Sequence, residues 1–543
     1  MSHVDDKTYV IGVDVGTGSV RAGVFDLQGQ LIGVAKRDIT LFSAPGARYE
    51  QSSDDIWQAV CHSVLAAVED SRINAESVIG VSFDATCSLV VIGPQSQPLA
   101  VDQHGIHQRN VIVWMDQRAT EQAKRINEQG HYVLQYVGQR ISPEMETPKL
   151  MWLKAHYPTT YHAAQHFFDL TDFLTWRASG SLARSICTTV CKWTYLAHEG
   201  RWDDSYFQSI GLGDLVEQNY QRIGNEIVPP GTPLANGLTQ DAAAQMGLRA
   251  GITVAAGLID AHAGGVGSVG AIANDGEANP AACLAYVFGT SACTLTSSVN
   301  RTTVPGVWGP YYSAMVPGLW LNEAGQSAAG AAIDHLMTLH PAYSELSKQT
   351  QVEGLSPAVV LSNLAKRQVA SLSDVVFLAD GVHVVPEFLG NRAPFADPEA
   401  RAVIAGLDMD SSLDSLVKLY IAGICGLAYG LRQIIDAQAS QGLQVSRVVI
   451  SGGAGQDPLI RQIIADATRM EVVAPSTAEP VMLGAAMLAA VGAGFFADLE
   501  QAMKGMSSFG DHYLPADDRI RDRHNQRFEA FTRLQQTARE LAC

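Results

Sequence analysis

Basic side chains are the scarcer charges in this sequence. Its 543 residues include 37 Lys and Arg against 55 Asp and Glu, which gives a formal net charge of −18 at pH 7. A surface of this sign repels nucleic acids and anionic lipids, so we expect neither as a partner. It also repels nucleotides at long range, and a phosphate site on this chain would therefore need local backbone N–H groups and a metal ion.

Several familiar signatures are missing. The eight cysteines form no CxxC pair and no cluster with histidines at zinc-site spacing. Free thiols in this number favour a reducing cytoplasm. Met1–Thr8 lacks the basic segment and the apolar segment that make up a signal peptide. The apolar stretch Val481–Ala497 is shorter than the ~20 residues that span a bilayer, so a buried core helix is expected there.

The length predicts more than one domain, because single cores stop growing near ~250–300 residues. Short strands both pair directly and alternate with helices, which indicates an α/β fold with mixed sheets. We expect domains at residues 1–270 and 271–500, with the boundary in the Gly/Asn/Asp/Pro-rich stretch 270–280. Residues 501–543 would be a helical extension, in which the charged segment Asp518–Leu541 forms a solvated surface helix.

Two predicted hairpins resemble each other. The first joins strands Tyr9–Asp14 and Ser19–Asp26, and the second joins Leu284–Phe288 and Ala292–Ser298, about 275 residues later. Such a repeat predicts a duplicated domain. A helix from about Asp54 to Asp70, capped by Ser53, and a buried strand at Val78–Asp84 complete the first repeat.

The turn of the first hairpin has the composition of an anion site. Its glycines let the backbone approach a phosphate, its hydroxyls donate hydrogen bonds, and an arginine adds a fixed charge. The candidates for nucleotide binding here are Gly16, Thr17, Gly18, Ser19 and Arg21. Asp14, at the strand end, can hold Mg²⁺. The spacing is that of neither a dinucleotide fingerprint nor a P-loop, and no GK[ST] occurs.

Two further glycine-containing segments lie in the second half. The turn Gly289-Thr290-Ser291 could grip a phosphate chain from the side opposite the first turn. The loop Gly452–Asp457 follows the strand Arg447–Ile450 and precedes a helix at Pro458–Arg469, for which Asp457 is a natural N-cap. Its residues Gly452, Gly453, Ala454 and Asp457 would bind the nucleoside, because glycines let a flat base lie against the backbone.

Two strand ends carry polar side chains suited to chemistry. Asp260 follows the strand Ile252–Ala256, at the sheet edge where α/β proteins bind ligands, and can accept a proton from a hydroxyl nucleophile. The strand Val111–Trp114 leads to an aromatic ring, a carboxylate and a guanidinium. Trp114, Asp116 and Arg118 are groups that recognise a polyol.

Together these motifs resemble the FGGY family of carbohydrate kinases, in the superfamily of actin and hexokinase. The resemblance covers roughly residues 9–500 and rests on six ordered motifs: DVGTGSVR (14–21), WMDQR (114–118), GLIDAHAG (257–264), FGTS (288–291), NEAGQSAAG (322–330) and GGAGQDPL (452–459). It implies two actin-like (ribonuclease H-like) domains, each a mixed sheet flanked by helices, with an interdomain cleft. It also implies MgATP as donor and a sugar as acceptor.

The resemblance assigns roles to individual residues. Asp260 matches the catalytic base, and we also expect it, with Asp14, at the metal site. Gln326 and Gly330, in the motif NEAGQSAAG, are expected to bind the nucleotide. Lys192 and Glu323 match substrate-contacting residues of the ribulokinases, and the segment 84–89, with Asp84, looks like the D-ribulokinase branch. The family signature around Lys149 fits only in part, and we interpret this lysine as structural.

The function that these observations favour is transfer of the ATP γ-phosphoryl group to the primary hydroxyl of a ketopentose, with D-ribulose as the first choice. Ribitol, L-ribulose and xylulose are the alternatives, and a homodimer stays open. A nucleotide-driven binding protein of the actin or chaperone type is a distant alternative, because only about 50 residues follow Gly494, too few for a peptide-binding domain.

Overall fold

The structure is a computed structural model that describes residues 8–102, 104–106, 108–272 and 278–542. Its strands are β1 Tyr9–Val15, β2 Ser19–Asp26, β3 Leu31–Asp38, β4 Phe42–Ala44, β5 Arg48–Gln51, β6 Val78–Ala85, β7 Leu89–Ile92, β8 Val111–Ile112, β9 His166–Asp169, β10 Arg184–Ser185, β11 Ile227–Val228, β12 Thr253–Ile259, β13 Cys283–Phe288, β14 Ala292–Ser298, β15 Trp308–Tyr312, β16 Trp320–Gln326, β17 His383–Val385, β18 Val403–Ala405, β19 Arg447–Ser451, β20 Glu471–Pro475 and β21 Phe509–Tyr513.

Helices alternate with these strands. They are α1 Ser53–Ser71, α2 Thr120–Gln129, α3 Glu146–His156, α4 Pro158–Ala163, α5 Leu170–Ser179, α6 Ile186–Trp193, α7 Asp204–Ser209, α8 Gly213–Glu217, α9 Gln240–Met246, α10 Asp260–Val269, α11 Gly330–Thr338, α12 Tyr343–Glu353, α13 Pro357–Arg367, α14 Leu413–Ser440, α15 Pro458–Thr468, α16 Pro480–Gly492, α17 Leu499–Met506 and α18 Asp518–Ala542.

Two mixed sheets share one topology. The N-terminal sheet has the order β12-β6-β1-β2-β3, with β1 antiparallel to β2 and parallel to β6. The central strands of the seven-stranded C-terminal sheet follow the same plan, in the order β16-β14-β13-β19-β20. The fold is therefore α/β with two related halves, and the duplication predicted from the two hairpins is confirmed. A smaller sheet, β4-β5-β8-β7-β9, belongs to the N-terminal half.

Helices α10 and α16 form the layer between the two sheets. They pack on each other; α16 covers the N-terminal sheet, whereas α10 packs against strands of the C-terminal sheet. Glycines permit the close approach, since a Cβ on Gly267 would lie 1.9 Å from the Pro480 carbonyl oxygen and one on Gly484 would lie 2.0 Å from that of Ala263. Each half thus contributes one helix to this layer, and the cleft opens at the N-terminal end of α10.

Apolar helices of the chain are buried. Helix α16 corresponds to the stretch Val481–Ala497 and lies in the core, as predicted. Within the part of the chain that the structure describes, α14 is long and apolar enough to cross a membrane, but 72% of its most apolar window is buried in the protein. That burial, against α11 and α15, is the environment of a globular core helix.

Most observed element ends lie within a residue or so of the predicted ones, and three differences bear on the site. Ser52, and not Ser53, caps α1, because Ser53 is bonded through both its N–H and its hydroxyl to Asn110. The strand predicted at 111–114 is only Val111–Ile112, and Trp114 lies in the turn after it. The strand predicted at 252–256 extends to Ile259, which brings Asp260 directly to its end.

The C-terminal helix corrects a further expectation. Helix α18 is not solvated all round, because one stripe of its side chains packs on the C-terminal half. The buried members of this stripe are Ile520, His524, Arg527, Phe531 and Gln535. The extension also contains β21, which pairs with β20 at the sheet edge. Residues 273–277, inside the boundary predicted at 270–280, lie outside the described residues.

Candidate active site

Three cavities lie along the cleft. The inner cavity has a volume of about 210 Å³, the turn groove about 610 Å³ and the loop pocket about 430 Å³. The inner cavity is lined by Thr17, Thr86, Cys87, Trp114, Glu144, Lys192, Ile259, Asp260, Ala261, His262, Ser291, Cys293, Trp308, Glu323 and Arg392. The turn groove is lined by Asp14, Gly16, Thr17, Gly18, Ser19, Arg21, Lys36, Asp260, Ala261, Val287, Glu479 and Val481.

Asp260 borders both the inner cavity and the turn groove. It ends β12 and begins α10, and one of its carboxylate oxygens accepts a hydrogen bond from the Ala261 N–H at 2.7 Å. Burial and the negative charge of Asp14 raise the pKa of Asp260 to about 6. A carboxylate with this pKa, at the junction of two cavities, can take a proton near neutral pH.

Acidic groups surround Arg21 at the turn groove. Its guanidinium donates to Asp14, at 3.1 Å from Nε, and to Glu479 at 2.6 Å. Behind Asp14 lies Asp84, its register partner on β6, fully buried and with both carboxylate oxygens unpartnered among the described residues. Burial and the charges of Asp14 and Asp260 raise the pKa of Asp84 well above its ordinary value.

The first turn joins the groove to the inner cavity. Thr17 borders both; the indole N–H of Trp114 donates to its hydroxyl at 3.0 Å, and the Gln51 amide donates to its carbonyl at 2.8 Å. A Cβ on Gly18 would meet no atom within 4 Å. The backbone of this turn is consequently held from behind and open towards the groove.

A chain of polar contacts crosses the inner cavity between the two halves. The His262 ring approaches the Cys187 sulfur at 3.0 Å and the Glu323 carboxylate at 3.4 Å. Burial alone would raise the pKa of Glu323, but His262 and the charge of Lys192 lower it to about 2. Burial alone would lower the pKa of the His262 ring, but its contacts with Cys187 and Glu323 raise it. Glu323 is therefore an ionised acceptor inside the cavity.

The second turn lies opposite the first. The Gly289 N–H donates to the Ser291 carbonyl at 3.0 Å, and the Gly289 and Thr290 carbonyls accept from Gly330 and Ala329, both at 2.9 Å. Ser291 lines the inner cavity, and Val287, just before the turn, lines the groove. A Cβ on Gly330 would lie 2.8 Å from the Gly289 carbonyl oxygen, so this glycine keeps the turn seated on α11.

The loop pocket has apolar and polar walls. Phe288, Gly330 and Tyr420 form part of its lining, together with Gly453, Ala454 and Asp457 from the predicted loop. The Asp457 carboxylate caps α15 by accepting from the Leu459 N–H at 2.9 Å, as predicted, and pairs with Lys366 at 2.7 Å. A pocket that combines apolar walls with hydrogen-bonding groups suits a nucleoside.

Three predicted ligands have other surroundings. Asp84 is buried behind Asp14 and does not line the inner cavity, where Thr86 and Cys87 of the same segment take its place. Asp116 and Arg118 bind each other through two hydrogen bonds of 2.8 Å, and Arg118 also reaches Glu50. Both are buried, since they close the loop after β8, and we assign them a structural role in place of the expected sugar contact.

Gln326 also differs from its predicted role. Its amide donates to the Leu427 carbonyl at 2.9 Å and its oxygen accepts from the Tyr286 hydroxyl at 2.7 Å, so it links β13, β16 and α14 inside the C-terminal half.

Gly452 has a φ of +89° and lies against Phe288. It shapes the loop and lines a neighbouring pocket, whereas Gly453 and Ala454 line the loop pocket itself.

The structure adds residues that the motifs did not indicate. Trp308, Arg392, Glu144 and Cys293 all line the inner cavity. Trp308 lies on the edge strand β15 and Arg392 in an irregular loop after β17, and neither segment has a local pattern that points to a ligand. Lys149 is fully buried and lies 3.3 Å from Glu146, which agrees with the structural role expected of it.

Comparisons with known proteins agree with this arrangement. The descriptions "FGGY family of carbohydrate kinases, N-terminal domain" and "C-terminal domain" match residues 9–267 and 284–493. The chain is 45% identical over 542 residues to the FGGY carbohydrate kinase domain-containing protein of Homo sapiens, covering 98% of this chain and 97% of the relative. It is 36% identical over 516 residues to the D-ribulokinase of Saccharomyces cerevisiae, covering 89% and 72%.

Among solved structures, the xylulose kinase from Rhodospirillum rubrum superposes with a TM-score of 0.80 at 20% identity, covering 98% of this chain and 99% of that one. This likeness shows the fold, the two-domain actin-like architecture of sugar kinases. The chain belongs to the FGGY family of carbohydrate kinases. It is a sugar kinase, and ATP is the phosphoryl donor of this family.

Proposed function

We propose that this kinase phosphorylates the primary C5 hydroxyl of D-ribulose with MgATP. The observation that carries the proposal is the position of Asp260, which borders both the inner cavity and the turn groove. A phosphoryl group bound in the groove and a hydroxyl bound in the cavity would meet at this carboxylate. The 36% identity to a D-ribulokinase over most of the chain supports D-ribulose as the acceptor.

Asp260 would act as the general base. Its raised pKa, about 6, makes it a stronger base than an exposed aspartate while leaving it ionised at neutral pH. The transition state of phosphoryl transfer is loose, so catalysis consists mainly of positioning and charge stabilisation. The N-terminal end of α10 and the N–H groups of the two turns would stabilise the negative charge on the transferred phosphoryl group.

The carboxylates at the groove fit a magnesium ion. Asp14, Asp84 and Asp260 share this region with one nearby guanidinium, that of Arg21, and the unpartnered oxygens of Asp84 mark an excess of acceptors. No set of three or more metal-binding side chains gathers at one point among the described residues. Mg²⁺ commonly takes one or two carboxylates and completes its shell with water and phosphate oxygens. Asp14 and Asp260 would hold it, and it would neutralise charge on the phosphates.

The inner cavity would select the sugar. Glu323 and Asp260 can accept from sugar hydroxyls, Lys192 can donate to a sugar oxygen, and the half-buried Trp114 ring offers an apolar face. Lys192 and Trp114 come from the N-terminal half and Glu323 from the C-terminal half, so a bound sugar would contact both.

A substrate panel tests this proposal. ADP release would be measured with MgATP and about twenty ketoses and polyols, including D-ribulose, L-ribulose, D-xylulose and ribitol. We expect the highest kcat/KM for D-ribulose, and ³¹P NMR should identify the product as the 5-phosphate. A clear preference for another member of the panel, or phosphorylation of D-ribulose at C1, would contradict the proposal.

A further inference from the structure

Two cations flank one indole ring in the inner cavity. Trp308 lies on β15, in register with Glu323 on β16. The Lys192 ammonium is 5.9 Å from the centroid of the Trp308 ring, and the Arg392 guanidinium carbon is 5.2 Å from it. The three side chains line the same cavity and reach it from three separate elements.

Apart from their contact with the Trp308 ring, the two cations have no acceptor close to them among the described residues. Within the described part of the chain, Lys192 and Arg392 form no hydrogen bond and no ion pair within 4 Å. The loop that carries Arg392 is nevertheless well held, because Asn391 and Asp397 exchange two backbone hydrogen bonds of 2.8 Å and the Phe395 N–H donates to the Asn391 side chain at 3.0 Å. Arg392 is thus a donor on a well-held loop, without a hydrogen-bond partner in the described residues, and it faces a ligand cavity.

The chemistry of these groups restricts what they can bind. A hydroxyl both donates and accepts, so carboxylates such as Asp260 and Glu323 can satisfy it. Lysine and arginine only donate, and a carbonyl oxygen only accepts. Two unpaired donor-only groups beside one ring therefore match an oxygen that has lone pairs and no hydrogen.

We propose that Arg392, together with Lys192, binds the carbonyl oxygen of an open-chain ketose, and that Arg392 thereby discriminates ketoses from the corresponding pentitols. This inference rests on the proposed sugar-kinase function and deepens it. The carboxylates would read the hydroxyls and the transferred position, whereas the two cations would read the one group that a pentitol lacks.

The test compares one substrate pair in two variants. Ribitol is D-ribulose with its carbonyl reduced to a hydroxyl, so kcat/KM for D-ribulose and the inhibition constant or kcat/KM for ribitol would be measured in the wild type, Arg392→Met and Arg392→Lys. In Arg392→Met, we expect kcat/KM for D-ribulose to fall by roughly 10- to 100-fold, the range for a hydrogen bond to a charged group. The ribitol constant should change by no more than about threefold, and Arg392→Lys should recover part of the loss.

Arg401→Met is the matched control. Arg401 lies in the same loop, but its side chain is 61% exposed and donates to the Ala400 and Pro398 carbonyls. We expect wild-type constants for both compounds. Thermal unfolding of each variant shows whether it is folded, and the KM for ATP shows whether the nucleotide site is intact.

Other outcomes would overturn the inference. Equal losses for D-ribulose and ribitol in Arg392→Met would make Arg392 a wall of the cavity, and unchanged constants would remove it from recognition. Preference of the wild type for D-ribonate over D-ribulose would show that the cations bind a carboxylate. If the wild type acts on another ketopentose and not on D-ribulose, the proposed substrate fails, while the same comparison with that ketose and its pentitol still decides the role of Arg392.

Discussion

Neighbouring residues of one motif have different tasks in this protein. Trp114 faces the inner cavity and donates to Thr17, whereas Asp116 and Arg118, two and four positions on, close the loop behind it. The Arg118 guanidinium donates four hydrogen bonds inside the protein, to Asp116, Glu50 and the Val101 carbonyl, and removing either carboxylate would leave a buried charge less well paired. A motif therefore locates a site, and the contacts decide which of its side chains reach the ligand.

Gly289 offers a prediction at the scale of one residue. Its φ is not positive, and a Cβ there would meet only the Ser291 carbonyl oxygen, at the ordinary contact distance of 3.5 Å. Gly289→Val should therefore fold. If phosphate oxygens approach this turn, the added methyl groups should displace them, and we expect the KM for ATP to rise by roughly tenfold or more. Steady-state kinetics with varied ATP would measure it.

Gly452→Val is the contrasting control for Gly289→Val. Gly452 has a φ of +89°, and its added Cβ would lie 2.5 Å from the Phe288 carbonyl oxygen. This variant should lose stability, by about 1–3 kcal/mol from backbone strain alone. A soluble, folded Gly289→Val enzyme with an unchanged KM for ATP would count against a phosphate clamp made of two turns.

Much of the candidate site is predictable from short segments. The glycine turns, Asp260 at a strand end and the Asp457 cap depend on local backbone geometry. The residue types within each short segment indicate that geometry. Trp308 and Arg392 do not, because an edge strand and an irregular loop bring them to the cavity through long-range packing. The place of Asp84 is not predictable from its segment either, because its position in the central sheet, opposite Asp14, follows from strand register.

At the scale of elements, α18 shows why a charged helix need not be solvated. Arg527 is buried, yet its guanidinium donates to the Ala379 and Val382 carbonyls at 2.7 Å, while Ile520 and Phe531 on the same stripe pack in the core of the C-terminal half. Although the segment is highly charged, its buried residues recur every three to four positions and therefore lie on one face of the helix. The main sheets were easier to predict, because buried strands such as β1 and β13 are nearly uniformly apolar.

The docking of α18 should depend on pH through His524. Its ring is 1% exposed and lies 2.9 Å from the Tyr429 hydroxyl. Burial, with the charges of Arg527 and Arg432, lowers its pKa to about 3. The unfolded chain takes up this proton below about pH 6.5 and the folded chain does not, so the protein loses stability as pH falls from 6.5 towards 3.

His524→Gln should weaken this dependence. Between pH 7.5 and pH 5, we expect the variant to lose about 2 kcal/mol less stability than the wild type, measured by urea unfolding at both values. His162→Gln, at an exposed histidine on α4, is the matched control and should follow the wild type. Identical acid sensitivity of His524→Gln and the wild type would show that α18 is not the acid-sensitive element.

At the scale of the whole molecule, the sugar should bring the two halves together. Lys192 and Glu323 line one cavity from opposite halves, and α10 and α16 lie between the sheets as the connection about which the halves would move. A ligand with higher affinity for the closed form shifts the population towards it. D-Ribulose with a non-hydrolysable ATP analogue should therefore reduce the radius of gyration measured by X-ray scattering.

Lys192→Ala provides the control for closure. We expect weaker sugar binding, by the roughly 1.5–3 kcal/mol of a charge-assisted hydrogen bond, and a smaller change in the radius of gyration at the same sugar concentration. ATP affinity should change little, since Lys192 lies in the inner cavity and not in the loop pocket. Wild-type kcat/KM for D-ribulose in this variant would refute a role for Lys192 in binding the sugar.

The most direct test of phosphoryl transfer at the junction of the two cavities is the turnover of Asp260→Asn. Loss of a general base typically costs 10²–10⁴-fold in rate. We predict that kcat for D-ribulose falls within this range while the dissociation constant of ATP, measured by calorimetry, stays within a few-fold of the wild-type value. A folded Asp260→Asn enzyme that keeps more than about a tenth of the wild-type kcat would contradict the assignment of Asp260 and the mechanism built on it.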